Sequence, residues 1–162
     1  MIIGLGFKAR SGKDTVADYL IENYGFKRLA FADALKEGCR HIFELNDEQL
    51  YGELKEVEDD YWGVTPRYIL QKVGTECMRD GYSEDIWVKA VGKKIHSDKT
   101  SNWVITDCRF PNEADAVKEW GGLVVRLDRV ESGASGGVSK HPSETAMEKY
   151  EEWDWKIGRA HV

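Results

Sequence analysis

Short apolar runs alternate along the chain with segments in which apolar side chains recur every three or four residues. The runs predict strands over 1–5, 26–32, 102–108, 123–127 and 153–157, the first of them buried. The periodic segments predict helices from residue 13, over 34–44, from residue 65, over 85–96, over 112–120 and over 141–150. This alternation predicts an α/β fold with a central parallel sheet of about five strands flanked by helices.

Residues at the starts of two helices agree with these boundaries. Thr65 and Pro66 are the residue types favoured at the N-cap and at the first helical position. Asp33 is predicted to cap the helix over 34–44. Both helices should therefore begin where the periodic pattern begins.

One of these helices carries a polar stripe. Arg67, Gln71 and Thr75 are spaced by four residues, so they should lie on one side of the helix that begins at residue 65. Such a stripe is usually the solvent-facing side of a helix. If it faced a phosphate pocket, it would hold a substrate.

Two stretches lack apolar periodicity. Residues 46–60 are acidic and poor in branched apolar side chains, which predicts an exposed, mobile insertion. Residues 131–140 are rich in glycine and serine and follow a predicted strand. The segment 130–142 is therefore predicted to be a mobile loop and a candidate lid.

The composition is that of an acidic protein with one domain, predicted to cover residues 1–156. The 162 residues are 41% hydrophobic and 32% charged, and a chain of this length can bury a core. The net charge of −6 and the pI of about 5.3 argue against broad binding to nucleic acid or to anionic membranes. A local basic pocket remains compatible with this charge, and a homodimer is neither required nor excluded.

The cysteines and the N-terminus indicate a cytoplasmic protein. Cys39, Cys77 and Cys108 are unevenly spaced and odd in number, which fits a reducing compartment better than a disulfide framework. The N-terminal apolar run is too short for a signal peptide or a membrane span. We therefore expect no membrane association.

The strongest local motif lies where the first strand meets the first helix. The turn between this strand and this helix ends with Gly12 and Lys13. The order of strand, glycine-bearing turn and helix is that of a P-loop. Amides of such a turn and the positive end of the helix attract phosphate, which the lysine ammonium also reaches. The usual spacing has glycine at Phe7 and a hydroxyl at Asp14, whereas here the hydroxyl is displaced to Thr15. The alternative is a plain glycine turn with a surface lysine.

A carboxylate ends the second strongly apolar run. Asp107 lies at the carboxyl end of the predicted strand over 102–108, and ligands of open parallel sheets gather at such ends. Opposite a P-loop, this carboxylate could hold Mg²⁺ directly or through water. The alternative is that Asp107 only caps the following helix.

The last residues, 157–162, end where another helix would be expected. The codons ATC GGA AGA GCA CAC GTC would encode them, and this DNA is similar to a common sequencing-library adapter. We therefore expect the tail over 157–162 to be non-native.

Several blocks of the sequence occur together in one protein family. They are 10–15 (RSGKDT), 31–36 (FADALK), 65–67 with 70–71 and 74–76, 107–113 (DCRFPNE) and 141–144 (HPSE). With these blocks the chain resembles the bacteriophage deoxynucleoside monophosphate kinases, relatives of adenylate kinase with a three-layer P-loop fold. Two positions depart from the pattern: Gly6 comes one residue early, and Lys140 stands where an acidic residue is expected nearby.

The resemblance implies transfer of the ATP γ-phosphoryl group to a deoxynucleoside 5′-monophosphate for DNA precursor supply, in the host cytoplasm for a phage enzyme. ATP and Mg²⁺ would be the cofactors, and small nucleotides the partners. ATP would contact Gly6, Ser11, Gly12, Lys13, Asp14 and Thr15. Developing charge would be neutralised by Lys13, Arg10, Arg109, Arg126 and Arg129. The metal would lie near Thr15, with Asp14 or Asp107 as its carboxylate. The acceptor would contact Asp33, Lys36, Arg67, Gln71, Thr75, Trp87 and Glu144.

Two other functions are alternatives. A kinase for another small phosphorylated acceptor, such as phosphomevalonate or dephospho-coenzyme A, would not turn over nucleoside monophosphates. A switch or scaffold that binds ATP without transferring phosphate would show no release of ADP that depends on an acceptor.

Overall fold

The computed structural model describes residues 1–7, 11–128 and 141–158. Two predicted site residues, Arg10 and Arg129, lie outside these ranges, as does most of the predicted lid over 130–142. The predicted non-native tail lies outside them from residue 159 onward.

The described residues form five β-strands and seven α-helices. The strands are β1 Ile2–Gly6, β2 Lys27–Leu29, β3 Trp103–Cys108, β4 Leu123–Leu127 and β5 Trp155–Ile157. The helices are α1 Lys13–Tyr24, α2 Asp33–Phe43, α3 Asp47–Leu50, α4 Pro66–Gln71, α5 Ile86–Ser97, α6 Pro111–Glu119 and α7 Pro142–Thr145. A 3₁₀-helix covers Glu53–Glu56, and α4 continues as a π-helix over Lys72–Asp80. Within the described ranges, every helix is too short or too polar to span a lipid bilayer.

All five strands pair in one parallel sheet with the order β2-β3-β1-β4-β5. The last residue of β1, Gly6, is in register with Cys108 of β3 and with Arg126 of β4. Because the strands are parallel, the segments that follow β1, β3 and β4 leave from the same edge of the sheet. The predicted α/β fold with a parallel sheet of about five strands flanked by helices is confirmed.

The chain divides into two compact units. The first comprises Met1–Phe31 with Val91–Val162 and contains the sheet, and the second comprises the helical segment Ala32–Ala90. The core of the first unit contains Leu5, Ala17, Phe26, Val104, Val125 and Leu127. The core of the second unit contains Cys39, Leu45, Leu50, Ile69 and Leu70. A single domain over 1–156 stays a prediction.

The central strands are buried, which explains why their sequences are apolar runs rather than alternating patterns. Leu5 of β1, Val104 and Ile105 of β3 and Val124 of β4 are almost completely buried. Parallel strands covered by helices show such runs because both of their faces are removed from water. The edge strand β5 is exposed by contrast.

Residues 46–60 contain helical structure that the sequence did not predict. Asn46 and Gln49 form a reciprocal capping box at the start of α3, in which each side chain accepts a hydrogen bond from the backbone amide of the other residue. Leu50, at the end of this helix, is fully buried in the core of the second unit. A capping signal and a single buried leucine therefore give structure to a segment that its acidic composition had indicated to be mobile.

The ends of two predicted helices differ from the structure. Asp33 is the first residue of α2, and Ala32 occupies the N-cap position that the sequence assigned to Asp33. α7 ends at Thr145, although the sequence predicted a helix up to residue 150. The predicted start at Thr65 is confirmed, because its Oγ1 accepts a hydrogen bond from the Tyr68 amide.

Gly6, at the end of β1, lies where no side chain fits. A Cβ atom at this position would lie 2.7 Å from Cη2 of Trp153 and 2.9 Å from the carbonyl oxygen of Cys108. Trp153 itself is buried and donates a hydrogen bond from Nε1 to the carbonyl of Tyr150 at 2.7 Å. Packing against this indole therefore requires a glycine one residue before the usual P-loop position.

We expect the substitution Gly6→Ala to lower the free energy of unfolding by about 1–3 kcal/mol, because the new methyl group overpacks the contact with Trp153. The control is Gly38→Ala in α2, where a Cβ atom meets nothing within 4 Å. This control should raise the free energy of unfolding by about 0.5–1 kcal/mol, since alanine favours a helix over glycine. Urea unfolding followed by circular dichroism measures both, and equal stability of Gly6→Ala and wild type would contradict the packing argument.

Candidate active site

The predicted phosphate-binding turn ends at Gly12, which immediately precedes α1 and has a left-handed backbone with φ 89°. Glycine adopts this conformation without strain. Its carbonyl oxygen accepts a hydrogen bond from the Val16 amide at 3.1 Å, which is the first turn of the helix. Because the first amides of an α-helix have no acceptor inside the helix, the start of α1 is suited to bind an anion.

Lys13, the first residue of α1, is a half-buried cation. Its Nζ donates a hydrogen bond to Ser11 Oγ at 3.2 Å. Burial lowers the pKa of Lys13 below its ordinary value, and the positive charge of Arg109 lowers this pKa further, whereas three nearby carboxylates raise it. The predicted P-loop lysine therefore shares its surroundings with a second cation, as a site for several negative charges requires.

Asp107 lies at the carboxyl end of β3, next to the end of β1. This is the location that the sequence predicted. Its Oδ1 accepts a hydrogen bond from the Phe31 amide at 2.7 Å. It is also one of the carboxylates whose charge raises the pKa of Lys13. The carboxylate therefore both anchors the chain after β2 and contributes negative charge beside the lysine.

Arg109 is positioned at both ends by carboxylates. Its Nη1 donates to Glu144 Oε1 at 3.2 Å, and its backbone amide donates to Glu113 Oε2 at 2.8 Å. The same Glu113 oxygen accepts from the Phe110 amide at 3.1 Å, and Glu113 is only 3% exposed. The structure thereby brings Arg109, Glu144 and Lys13 into one charged cluster in the first unit.

Glu113 is a site residue that was not predicted from the sequence. A signal for it was present, because Glu113 is the third residue of α6, where a glutamate commonly returns to bind the amides before a helix. In this protein those amides belong to the turn that carries Arg109. The helix cap thus supports the candidate site.

Arg126 and Asp14 each make a contact that the sequence did not indicate. Arg126 Nε donates to both carboxylate oxygens of Asp128, at 2.9 and 3.0 Å, and its guanidinium carbon lies 3.6 Å from the centre of the Phe7 ring. Asp14 is exposed, and its Oδ1 accepts a hydrogen bond from Arg28 Nη2 at 2.6 Å. The Asp14 contact ties α1 to β2 and neutralises the charge that follows Lys13.

In the second unit, both predicted phosphate-binding cations have defined neighbours. Arg67 Nε donates to Glu56 Oε1, and the Arg67 side chain is about one-third exposed. Lys36 Nζ lies 4.5 Å from the centre of the Tyr51 ring. Each cation is thus held by a carboxylate or an aromatic face.

The polar stripe on α4 and the π-helix is not a simple solvent face. Thr75 is only 6% exposed, and Gln71 has a buried amide nitrogen, Nε2, that has no hydrogen-bond partner among the described residues. Trp87 Nε1 donates to the Gly74 carbonyl at 2.9 Å, and Asp33 is half-buried at the start of α2. Because an unpaired buried amide costs free energy, a ligand that pairs with Gln71 would be favoured.

The residues predicted to hold Mg²⁺ supply oxygen ligands, which are the kind this ion prefers. Among the described residues no group of three or more histidine, cysteine, aspartate or glutamate side chains is arranged to bind a metal. Mg²⁺ in kinases is commonly held by one or two carboxylates, waters and the substrate phosphates, so Asp107 with Thr15 fits this chemistry. Asp14 fits it less well because its carboxylate is paired with Arg28.

Comparison with known proteins places the chain in a family. It is 40% identical over 170 residues to a protein of Acanthamoeba polyphaga mimivirus that carries the provisional name deoxynucleotide monophosphate kinase. The match covers 95% of this chain and 86% of the mimivirus protein. The chain belongs to the viral deoxynucleoside monophosphate kinase family. It is therefore an enzyme, a nucleotide kinase that transfers a phosphoryl group and uses ATP.

A second relative of this kinase supports the same family. The deoxynucleoside-5′-monophosphate kinase of Escherichia phage T5 is 42% identical over 83 residues, which cover 48% of this chain and 32% of that protein. A solved dephospho-CoA kinase of Campylobacter jejuni aligns with 99% of this chain and 89% of its own, at 13% identity and a TM-score of 0.48, which is too distant to bear on function. No family model matches the chain.

We expect the substitution Lys13→Met to raise the free energy of unfolding at pH 7, because it removes a half-buried ammonium whose pKa is lowered by burial. The folded wild type binds fewer protons than the unfolded chain between the lowered pKa and the ordinary value of 10.5. Wild-type stability should therefore approach that of the variant as the pH rises through this interval. The control Lys93→Met replaces an exposed lysine of α5. It should change neither the free energy of unfolding at pH 7 nor its dependence on pH. A less stable Lys13→Met at pH 7 would contradict this account.

Proposed function

We propose that this kinase transfers the γ-phosphoryl group of ATP to a deoxynucleoside 5′-monophosphate and releases ADP and the deoxynucleoside diphosphate. The observation that carries the proposal is the half-buried Lys13 at the start of α1, with Arg109 and Asp107 near enough to change its pKa. Family membership makes a nucleotide acceptor the natural choice. Catalysis of this reaction requires positioning and neutralisation of charge more than covalent chemistry.

On the donor side, the backbone at the start of α1 and the Lys13 ammonium would bind the outer phosphates of ATP. The residues proposed for this role are Gly6, Ser11, Gly12, Lys13, Asp14 and Thr15. Arg109 would neutralise the charge that develops as the phosphoryl group moves, because its guanidinium lies beside Lys13. Arg10, Arg126 and Arg129 stay predicted for the same role.

Mg²⁺ bound with ATP would neutralise phosphate charge and hold the phosphate oxygens in line for transfer. We propose that Asp107 and Thr15 hold this ion. Asp14 remains an alternative ligand, although Arg28 already donates a hydrogen bond to its Oδ1 and would compete with the metal for that oxygen. In either arrangement, Lys13 would contact the phosphates independently of the metal.

On the acceptor side, Lys36 and Arg67 would bind the monophosphate. Gln71, Thr75 and Trp87 would contact the base and the sugar, with Asp33 and Glu144 as further contacts. The burial of the stripe supports this role, because Thr75 is only 6% exposed and Gln71 is half-buried. No general base is needed, since the attacking phosphate oxygen is already anionic at neutral pH.

The first test is release of ADP from Mg-ATP, measured by a coupled assay with each of the four deoxynucleoside monophosphates. Turnover that depends on an added monophosphate is expected, and Lys13→Ala should reduce it by orders of magnitude while the circular dichroism spectrum stays unchanged. Near-normal turnover by Lys13→Ala would refute the phosphate-binding role. Silence with all four acceptors, from a folded protein that binds ATP, would favour another phosphorylated acceptor or a non-catalytic switch.

We expect the substitution Arg67→Ala to raise the KM for the accepted monophosphate by about ten- to a hundredfold. A hydrogen bond to a charged group contributes roughly 1.5–3 kcal/mol, and each 1.4 kcal/mol corresponds to about tenfold. The KM for ATP should stay unchanged. The matched control is Arg40→Ala, which removes a surface arginine of α2 that pairs with Glu37 and Asp47. Equal acceptor KM values for Arg67→Ala and Arg40→Ala would exclude Arg67 from the acceptor site.

A further inference from the structure

Phe7 has an unusual backbone at the point where β1 ends. Its φ is 90°, in the left-handed region that bulky L-residues rarely occupy. The P-loop pattern has a glycine at this position, which adopts such a conformation without strain. A phenylalanine here is retained only if its surroundings hold it in place.

The Phe7 ring contacts Arg126 and Trp153, both within the first unit. The guanidinium carbon of Arg126 lies 3.6 Å from the ring centre, and the ring of Trp153 meets that of Phe7 edge to face at 6.4 Å. Asp128 orients the guanidinium through two hydrogen bonds, and the Trp153 indole is fixed by the Tyr150 carbonyl. Each neighbour is therefore anchored by hydrogen bonds of its own.

We propose that Phe7 is a positioning residue of the ATP site and acts through its ring contact with Arg126. Holding the ring fixes the backbone of Phe7 at the end of β1, the strand that precedes Gly12 and Lys13 in the chain. A glycine would permit this backbone conformation but would also permit others. The aromatic ring thus restricts the backbone to one geometry. Phosphoryl transfer requires that the groups contacting the phosphates be held in place. This inference rests on the proposed function.

Three substitutions of Phe7 separate the effect of the ring from that of backbone strain. Phe7→Tyr keeps the ring, Phe7→Leu loses the ring and keeps the strain, and Phe7→Gly loses the ring and relieves the strain. We expect Phe7→Tyr to stay within about twofold of wild type in kcat/KM for ATP. Leu and Gly should lower kcat/KM for ATP by about tenfold or more, with the acceptor KM unchanged, because misplaced contacts reduce phosphoryl transfer. The control Tyr24→Leu, at an exposed ring in α1, should have no effect.

If Phe7 has a purely structural role, the kcat/KM of Phe7→Gly should not fall below that of the wild type. If Phe7 only had to satisfy the backbone, Phe7→Gly would equal or exceed wild type in kcat/KM, and that result would overturn the proposal. Thermal unfolding of each variant verifies that it is folded at the assay temperature. Phe7→Gly is the variant least at risk of misfolding, because it suits the left-handed backbone.

A double-mutant cycle tests the contact with Arg126. Arg126→Lys keeps the positive charge but lacks the flat guanidinium face that stacks on a ring. If Phe7 acts through this contact, the double variant Phe7→Leu with Arg126→Lys loses no more kcat/KM than the worse single variant. Losses that multiply would show that the two residues act independently, and they would overturn the proposal.

Different results would refute the proposed kinase reaction and the role of Phe7. If the wild type turns over no monophosphate, the proposed function fails, and the affinity for Mg-ATP measured by calorimetry tests Phe7 instead. Leu and Gly should then weaken ATP binding while Tyr preserves it. Equal affinities in all three variants would overturn the role of Phe7. If the wild type is active and Phe7→Gly matches it, only the inference about Phe7 fails.

Discussion

The parallel pairing of β1 with both β3 and β4 is the constraint on which the candidate site depends. Parallel strands end at one edge of the sheet, so the carboxyl ends of these three strands lie side by side there. This pairing joins Lys13, Asp107 and Arg109 although nearly a hundred residues separate them along the chain. Close approach of the strands requires glycine at Gly6, where the indole of Trp153 fills the remaining space.

The charges at this edge include a half-buried cation whose environment disfavours its protonated form. Lys13 is half-buried beside a second cation, Arg109, and both burial and that cation disfavour its protonated form. Asp14, Asp107 and Glu144 raise the pKa of Lys13, but burial, which has the largest effect, and the charge of Arg109 keep it below its ordinary value. Phosphate groups would supply the negative charge that the protein itself leaves incomplete. Sites of this kind commonly combine function with a local cost in stability.

Several features of the site followed from the sequence because they depend on local chemistry. The turn at Gly12 and Lys13 and the carboxylate at the end of β3 required only the order of elements and the residue types. The sequence missed the role of Glu113 and the helical structure within residues 46–60. Both depend on tertiary contacts, namely a buried carboxylate and a buried leucine. The helix start at Thr65 was predictable, since capping involves only neighbours in the chain.

The sequence by itself determined the α/β class, the parallel sheet and the kinase family, because periodicity, turn chemistry and motif blocks are local properties. Only the tertiary structure decided which residue each charged side chain contacts. Asp14 with Arg28 and Arg126 with Phe7 could not be read from spacing, because these partners come from separate strands and helices. It also decided that Phe7 has a left-handed backbone in place of the expected glycine. Strain of this kind persists only where packing outweighs it, and packing is a property of the folded chain.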